Sequence, residues 1–283
     1  MSCTLCPRLC NVNRTQGKRG FCAAPPLPVV AAAQLHQWEE PCISGTHGAG
    51  TVFFSGCNLA CVYCQNYEIS RTIRGQSVDA DGLRQMFHAL IAQGVHNISL
   101  VTPTCYADTI AAALMPRLPV PVVYNCGGYE RVETLAMLAD KVDVWLPDYK
   151  YSDGDLAARC SSAHDYPAVA AAAILAMVEH AGAPVFDDAG LLTRGVLVRH
   201  LVLPGQLENT FGVLDWFADH LRGRALLSLM GQFTPNGCAE FDRPLTADEY
   251  HRAVDYMHLV GIRDGYVQDL AAVGSGYVPV WAG

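Results

Sequence analysis

Three closely spaced cysteines are the residues of this chain best suited to chemistry. Cys57, Cys61 and Cys64 follow a short apolar run with the spacing C-x3-C-x2-C. Iron–sulfur clusters that only carry electrons usually have four cysteine ligands, whereas three thiolates leave one iron of a cubane cluster without a protein ligand. A structural zinc site normally needs four ligands, and the nearest upstream thiol, Cys42, is 15 residues away. The spacing therefore predicts a cluster whose open iron binds a substrate or cofactor directly.

A second cysteine group lies near the N-terminus and has four thiols, at Cys3, Cys6, Cys10 and Cys22. Clustered cysteines in a chain expected to occupy a reducing compartment indicate a metal rather than disulfides. Zinc and an iron–sulfur cluster both fit this set, and the centre would either relay electrons or pin the N-terminus. The other five cysteines are predicted to be mostly buried structural thiols: Cys42, Cys105, Cys126, Cys160 and Cys238.

Six β/α units, each a short apolar strand followed by an amphipathic helical stretch, must position these cysteines. The predicted strands cover residues 51–54, 97–101, 120–125, 142–147, 195–203 and 225–230. The predicted helices cover residues 79–93, 107–115, 131–139, 166–181, 207–221 and 247–260. The last helix begins with Thr246 and has Glu249 three residues later, which predicts a capping box. Residues 184–193 predict an inserted hairpin before the fifth strand.

This order of elements predicts an α/β fold with parallel strands and helical crossovers. Six units fall short of the eight of a complete barrel, so the pattern fits an open barrel or a doubly wound sheet. We expect an open (β/α)6 TIM-like barrel over residues 49–283, with residues 1–48 as an irregular, cysteine-rich extension ordered by a metal. The Cys57 triad follows the first strand and thus lies at the C-terminal edge, where parallel β/α folds bind ligands.

The ends of the later strands supply further candidate ligand-binding residues. Asn125 precedes paired glycines, which permit close approach of the backbone to a ligand or form a plain tight turn. Asp148 and Lys150 follow the fourth strand and suit contacts with a ribose or substrate, the alternative being a solvated ion pair. Arg199 in the fifth strand offers a cation to a carboxylate. Its neighbour His200 points to the opposite face and is typical of a buried core histidine.

Composition excludes several classes of protein. The 283 residues are 51% hydrophobic and carry a net charge of −8, which predicts one sizeable core without the basic stripe of a nucleic-acid-binding protein. The apolar runs are too short to span a bilayer, and the first residues lack the layout of a signal peptide. We therefore expect a cytoplasmic protein with no membrane or nucleic-acid partner. Phosphate-loop and nucleophile-elbow motifs are absent from the sequence.

The segment Gly56-Cys57-Asn58-Leu59-Ala60-Cys61-Val62-Tyr63-Cys64-Gln65-Asn66 resembles the signature of the radical SAM superfamily. The signature includes the aromatic residue that precedes the third cysteine. More narrowly, nearly the whole chain resembles the branch of pyruvate formate-lyase activating enzyme-like iron–sulfur proteins. That likeness includes residues 39–45, 101–104, 123–129, 146–151 and 199–205.

The resemblance implies roles for the cysteine triad and for one tyrosine. Cys57, Cys61 and Cys64 would hold a 4Fe-4S cluster whose open iron chelates the amino and carboxylate groups of S-adenosylmethionine. Reduction would cleave the sulfonium to methionine and a 5′-deoxyadenosyl radical that abstracts a hydrogen. Tyr63 would pack near the adenine, its alternative being an ordinary core tyrosine.

One expected motif of the activating enzymes is missing. Many of them carry Gly-Gly-Glu after the second strand, where it meets the methionine amino group, but this chain has Thr102-Pro103-Thr104 there. Backbone carbonyls and the hydroxyls of Thr102 and Thr104 would have to serve instead.

The resemblance implies a radical S-adenosylmethionine oxidoreductase, in its specific form an activase that takes an α-hydrogen from a glycine of a glycyl-radical enzyme. The first alternative is modification of another peptide or a small metabolite with the same radical. The second is a non-enzymatic iron–sulfur electron carrier. The expected partners are a reductant such as flavodoxin or ferredoxin and a glycyl-radical enzyme or peptide. The expected cofactors are S-adenosylmethionine, one 4Fe-4S cluster, and a second 4Fe-4S cluster or zinc.

Overall fold

The computed structural model describes residues 2–268 and residue 270. Its strands are β1 (Val29–His36), β2 (Ala49–Phe54), β3 (Gln76–Ser77), β4 (Ile98–Val101), β5 (Val122–Cys126), β6 (Val144–Pro147), β7 (Val185–Phe186), β8 (Leu192–Leu201), β9 (Leu226–Met230) and β10 (Gly265–Val267). Its α-helices are α1 (Pro41–Ser44), α2 (Tyr67–Ser70), α3 (Ala80–Ile91), α4 (Ala107–Ala113), α5 (Val132–Leu138), α6 (Gly154–Ser161), α7 (Tyr166–Ala181), α8 (Leu207–His220) and α9 (Ala247–Leu259). The predicted barrel domain ends in residues 271–283, which lie outside the described part.

The six predicted strands form one parallel sheet in sequence order, β2-β4-β5-β6-β8-β9. A doubly wound sheet reverses its strand order at a switch point, so the uninterrupted order confirms the open, partial TIM-like barrel. Strand β10 extends the sheet beyond β9, and β1 and β3 extend it antiparallel beyond β2. In the described residues the two edge strands of this path, β10 and β3, do not pair with each other, so the sheet is open.

Part of the N-terminal extension is regular, and the expectation of an irregular segment is wrong there. Strand β1 pairs with β2 over most of its length, from Val30 opposite Phe54 to His36 opposite Ala49. Three consecutive alanines give this stretch little β propensity, so its strand form depends on pairing with a neighbouring edge rather than on its own sequence.

Local signals at two predicted elements are confirmed. The side chain of Thr246 accepts from the backbone N–H of Glu249 at 3.2 Å, and the Glu249 carboxylate accepts from the N–H of Thr246 at 3.0 Å, which completes the capping box of α9. Strand β7 pairs antiparallel with the start of β8. The turn between them closes through the N–H of Asp187, which donates to the carbonyl of Leu191 at 2.9 Å. Helices and hairpin thus begin where the sequence predicts them.

The barrel interior changes character along the strands. Near the N-terminal ends it is a closed apolar floor, in which Cys42 and Ile43 of α1 pack against Val123, Val144 and Leu197. Toward the C-terminal ends the inward positions become polar and charged, as the next section describes. Among the described helices, none is long and apolar enough to cross a membrane. The apolar floor closes one end of the barrel, and the other end is left for ligands.

Candidate active site

A cavity of about 770 Å³ opens at the C-terminal edge of the sheet. Its volume lies in the range of small-molecule sites, about 300 to 1,000 Å³. All three cysteines of the triad line it. It also brings together most of the residues predicted to bind the cofactor: Tyr63, Thr102, Asn125, Asp148, Lys150 and Arg199.

The triad lies on the loop that leaves β2, and each sulfur has a hydrogen-bond donor. The backbone N–H of Leu59 donates to Cys57 Sγ at 3.4 Å. The hydroxyl of Ser161 donates to Cys61 Sγ at 2.9 Å, and that of Ser70 donates to Cys64 Sγ at 3.5 Å. Such bonds stabilise thiolate, which is the metal-binding form.

The three thiols of the triad are the residues that could hold a cubane cluster, in which each thiolate binds a different iron. In the part of the chain that the structure describes, no three Cys, His, Asp or Glu side chains converge as the ligands of one metal ion do. Burial raises the pKa of the Cys57 and Cys61 thiols, so a metal entering this site displaces protons.

A buried chain of hydroxyl groups leads to one triad sulfur. Tyr63 Oη lies 2.6 Å from Tyr151 Oη, which lies 2.7 Å from Ser161 Oγ, which donates to Cys61 Sγ. The Tyr63 ring also packs edge-on against Phe241. The Tyr63 side chain therefore lines the cavity and also packs against core residues. An adenine partner for Tyr63 stays a prediction.

Opposite charges converge on Arg199 in the cavity wall. Its Nε lies 3.1 Å from Asp148 Oδ1, its Nη1 lies 3.3 Å from Glu39 Oε2, and its Nη2 donates to Asn125 Oδ1 at 2.5 Å. Lys150 Nζ lies 2.5 Å from the other oxygen of Asp148. The Asp148–Lys150 ion pair does form, but it is mostly buried rather than solvated, because both side chains are about one-fifth exposed.

The network keeps its cations charged at neutral pH. Burial alone would raise the pKa of Asp148, but the charges of Lys150 and Arg199 bring it below its ordinary value. Burial likewise opposes charge on Lys150 and Arg199, yet Asp148 raises the pKa of both overall. For Glu39, burial outweighs Arg199 and raises the pKa of the carboxyl group. Two permanent cations beside the cysteine triad are suited to a carboxylate ligand.

Thr102 has a backbone conformation that is costly for its residue type. Its φ is +59°, in the left-handed region that a β-branched residue rarely adopts. The same residue lines the cavity, and its N–H donates to the carbonyl of Asn125 at 2.9 Å. Strain of this kind persists where the surrounding structure enforces it, often at ligand sites. The residue that replaces the missing Gly-Gly-Glu motif is thus held in a special geometry.

Two residues considered in the sequence lie away from the cavity lining. Thr104 is buried, and its hydroxyl donates to Glu130 Oε1 at 2.6 Å. His200 is enclosed between the Tyr149 carbonyl at 2.8 Å and the Thr210 hydroxyl at 3.0 Å. Burial lowers the pKa of His200 to about 4, so the ring is neutral. His200 is therefore a satisfied core histidine, as predicted for a lone histidine in a strand.

Sequence reasoning missed Glu39 and Ser161 as members of the site. Glu39 lies in the quoted segment 39–45, and an acidic pair between apolar stretches was its available signal. Ser161 ends α6, whose existence was not predicted, and no motif marks it. The four N-terminal cysteines line a separate small pocket beside the triad loop.

Comparison with known proteins shows which family this chain resembles. The Radical SAM superfamily matches residues 51–211, more than half of the chain. An uncharacterized protein of Methanocaldococcus jannaschii is 27% identical over 268 residues, which are 90% of this chain and 73% of that protein.

Solved structures of low sequence identity share the fold. SuiB of Streptococcus suis bound to S-adenosylmethionine is 11% identical with a TM-score of 0.54, over 75% of this chain and 48% of SuiB. A radical SAM methyltransferase from Sphaerobacter thermophilus is 15% identical with a TM-score of 0.54, over 77% of this chain and 66% of the methyltransferase. The chain thus spans about half the length of SuiB and just under two thirds of the methyltransferase. The family match, supported by this shared fold, shows that the chain belongs to the radical SAM superfamily, whose enzymes use a 4Fe-4S cluster and S-adenosylmethionine.

Proposed function

We propose that Cys57, Cys61 and Cys64 hold the 4Fe-4S cluster and that S-adenosylmethionine occupies the cavity beside them. The observation that carries this proposal is the pairing of three hydrogen-bonded thiols with a buried ion-pair network on one cavity wall. When bound, these groups supply reductive cleavage of the sulfonium and a 5′-deoxyadenosyl radical that abstracts a hydrogen.

The residues of the chain have distinct roles in this proposal. Arg199 and Lys150 bind a carboxylate, and Asp148 holds the two cations in place through its ion pairs with both. Thr102 offers its carbonyl to the methionine amino group from its enforced left-handed conformation. Asn125 fixes the Arg199 guanidinium through its side-chain oxygen. Together these side chains orient the ligand and occupy positions that water would otherwise fill.

The proposed substrate is a glycine in a partner enzyme, which would then store a glycyl radical. Support comes from the resemblance to the activating-enzyme branch along nearly the whole chain. A glycine has no side chain, so its backbone can enter a narrow site beside a bound cofactor. The reductant would be a low-potential one-electron protein of the flavodoxin or ferredoxin class.

Modification of another peptide is the second candidate, and one observation favours it. SuiB bound to the precursor peptide SuiA shares the fold at a TM-score of 0.55 and 12% identity, over 75% of this chain and 46% of SuiB. The cavity is also in the upper part of the small-molecule range, which leaves room for a peptide segment beside one cofactor.

Isotope transfer separates these candidates. The reduced protein is incubated with S-adenosylmethionine and a glycyl-radical enzyme whose glycines carry deuterium at the α-carbon. Activation predicts deuterium in 5′-deoxyadenosine and a glycyl-radical signal in the partner. Cleavage that never transfers deuterium from this partner would reject the activase in favour of another substrate. No cleavage, with an intact cluster, would favour the electron-carrier alternative.

A further inference from the structure

The four N-terminal cysteines surround one small pocket: Cys3, Cys6, Cys10 and Cys22. Donors point at two of the sulfurs. The backbone N–H of Phe21 donates to Cys10 Sγ at 3.4 Å, and Arg14 Nη2 donates to Cys22 Sγ at 3.6 Å. Four thiols with such donors make a site for a thiolate-bound metal.

The backbone of this segment is strained around its cysteines. Leu9 and Asn11, on either side of Cys10, have φ values of +43° and +53°, and Ala23, after Cys22, has +56°. This conformation is rare for leucine and alanine and persists where the surroundings enforce it. Ligation of a metal by the neighbouring cysteines would supply that enforcement.

A neighbouring glycine shows how closely the chain wraps Cys10. A Cβ on Gly20 would lie 2.9 Å from Cys10 Sγ, inside van der Waals contact. The glycine therefore lets the backbone approach the sulfur. This close wrapping fits a metal ligand better than a free thiol.

The position of the group favours an iron–sulfur cluster over zinc. Zinc has no redox chemistry, whereas an iron–sulfur cluster carries electrons. The group lies beside the triad loop, to which Arg8 links it, and two of its thiols, Cys3 and Cys10, are partly exposed. We propose that the N-terminal group holds a second iron–sulfur cluster, which passes electrons to the cluster of the triad.

The two cysteine groups are joined by direct backbone contact. A Cβ on Gly56 would lie 2.8 Å from the carbonyl oxygen of Cys22. Because consecutive Cα atoms are about 3.8 Å apart, the Cα atoms of Cys22 and Cys57 lie within about 11 Å of each other. The last cysteine of one group therefore lies near the first cysteine of the other.

Arg8 and Arg71 stabilise this contact, and both pack against the ring of Phe21. The guanidinium of Arg8 lies 3.8 Å from the Phe21 ring centroid, and that of Arg71 lies 5.2 Å from it. Arg8 Nε donates to the carbonyl of Asn58 at 2.9 Å, and Arg71 Nη1 donates to that of Leu59 at 3.3 Å. Both carbonyls belong to the triad loop, so the N-terminal group is docked against that loop.

The N-terminal group also reaches the surface. Cys3 and Cys10 are partly exposed, and Leu9 beside them is 46% exposed. One electron from a low-potential flavodoxin or ferredoxin enters here, reduces the N-terminal cluster, and moves on to the triad cluster. The N-terminal cluster thereby returns to its oxidised state. This electron path rests on the proposed function, whereas the identity of the metal does not.

Metal analysis tests the site itself. Anaerobically reconstituted wild type should hold about eight iron and eight sulfide per chain, as two cubane clusters require. The Cys6→Ala/Cys22→Ala variant should hold about half of each, and so should Cys57→Ala/Cys61→Ala/Cys64→Ala. Cys42→Ala is the control, since that thiol lies in the barrel floor, and should keep the full content. Zinc in the wild type that is lost from the N-terminal variant, with unchanged iron, would overturn the proposal.

Reduction kinetics test the electron path. In Cys6→Ala/Cys22→Ala, reduction of the triad cluster by a reduced flavodoxin should slow at least tenfold, while the spectral change on adding S-adenosylmethionine persists. A small photochemical reductant should restore the rate, because it reaches the triad without a docking site. An unchanged rate with flavodoxin would refute the relay. Loss of the S-adenosylmethionine response in this variant would instead indicate a purely structural site.

Discussion

The two cysteine groups lie side by side but face different surroundings. The triad opens onto a large cavity whose wall carries Arg199, Asp148 and Lys150. The N-terminal group closes around a small pocket and is fastened to the triad loop through Arg8. Three thiols beside a charged cavity are suited to cofactor chemistry, and four thiols around a small pocket are suited to electron transfer. The two groups thus differ in the number of thiols and in the space beside them. These differences indicate two functions, which the presence of thiols alone would not distinguish.

The largest expected effect is loss of cofactor binding at one group only. Replacing the three triad cysteines by alanine should abolish cleavage of S-adenosylmethionine and the electron paramagnetic resonance change that it induces. The Cys6→Ala/Cys22→Ala variant should retain that spectral change, because its triad still offers an open iron. If the triad variant showed the wild-type spectral response, the proposed difference between the two cysteine groups would be contradicted.

The second expected effect tests the buried ion-pair network, which lies on the cavity side. Arg199→Met leaves Glu39 and Asp148 without their shared cation in a buried site, which should cost about 3 to 5 kcal/mol of unfolding free energy. Urea unfolding under anaerobic conditions measures it. The control is Arg224→Met, which removes the exposed pair with Glu179 and should cost at most about 1 kcal/mol. Equal losses in the two variants would refute the buried network.

The buried carboxyl group of Glu130, which accepts a hydrogen bond from Thr104, predicts a pH dependence of stability. Burial raises its pKa to about 8 from 4.5, so the folded state favours the protonated acid. Its contribution is therefore fully present below pH 4.5 and is lost as pH rises toward 8. At about 1.4 kcal/mol per pKa unit the loss by pH 7 is about 3 kcal/mol.

Glu130→Gln removes this titration, so the variant should gain stability relative to the wild type between pH 5 and pH 8. Urea midpoints across that range give the difference. A stability difference that does not change with pH would contradict the buried, raised-pKa carboxyl group.

The smallest effect concerns the sulfurs of the triad. Ser161→Ala removes the donor 2.9 Å from Cys61 Sγ. Loss of this hydrogen bond destabilises the reduced cluster more than the oxidised one, because the reduced cluster carries more negative charge. The midpoint potential of the cluster should therefore fall. A net loss of about 1 kcal/mol corresponds to roughly 40 mV for one electron. Ser70→Ala, whose donor is 3.5 Å from Cys64 Sγ, is the matched control and should shift the potential less. A larger shift with Ser70→Ala would contradict this assignment.

The sequence could predict most of the fold because periodicity and turn residues act locally. All six repeated strands and helices form where apolar spacing placed them, and the capping box at Thr246 marks the start of α9. The strand β1 escaped prediction because its alanines carry little propensity. Its form comes from pairing with β2, which a local pattern does not show.

The site was predictable only in part because it joins distant segments. The strand ends at Asn125, Asp148 and Arg199 could be placed at one edge from the parallel topology alone. Glu39 is 160 residues from Arg199 in the chain, and only the path of the N-terminal segment into the barrel brings them together. Thr104, two residues after Thr102, faces Glu130 because the chain turns into a helical segment there.

Formation of 5′-deoxyadenosine tests the central claim most directly. Purified, anaerobically reconstituted protein is reduced in the presence of S-adenosylmethionine, and the nucleoside is quantified by chromatography. The account predicts 5′-deoxyadenosine and methionine in equal amounts from the wild type and none from the Cys57→Ala/Cys61→Ala/Cys64→Ala variant. A wild-type protein with a full, reducible cluster that yields no 5′-deoxyadenosine would contradict it.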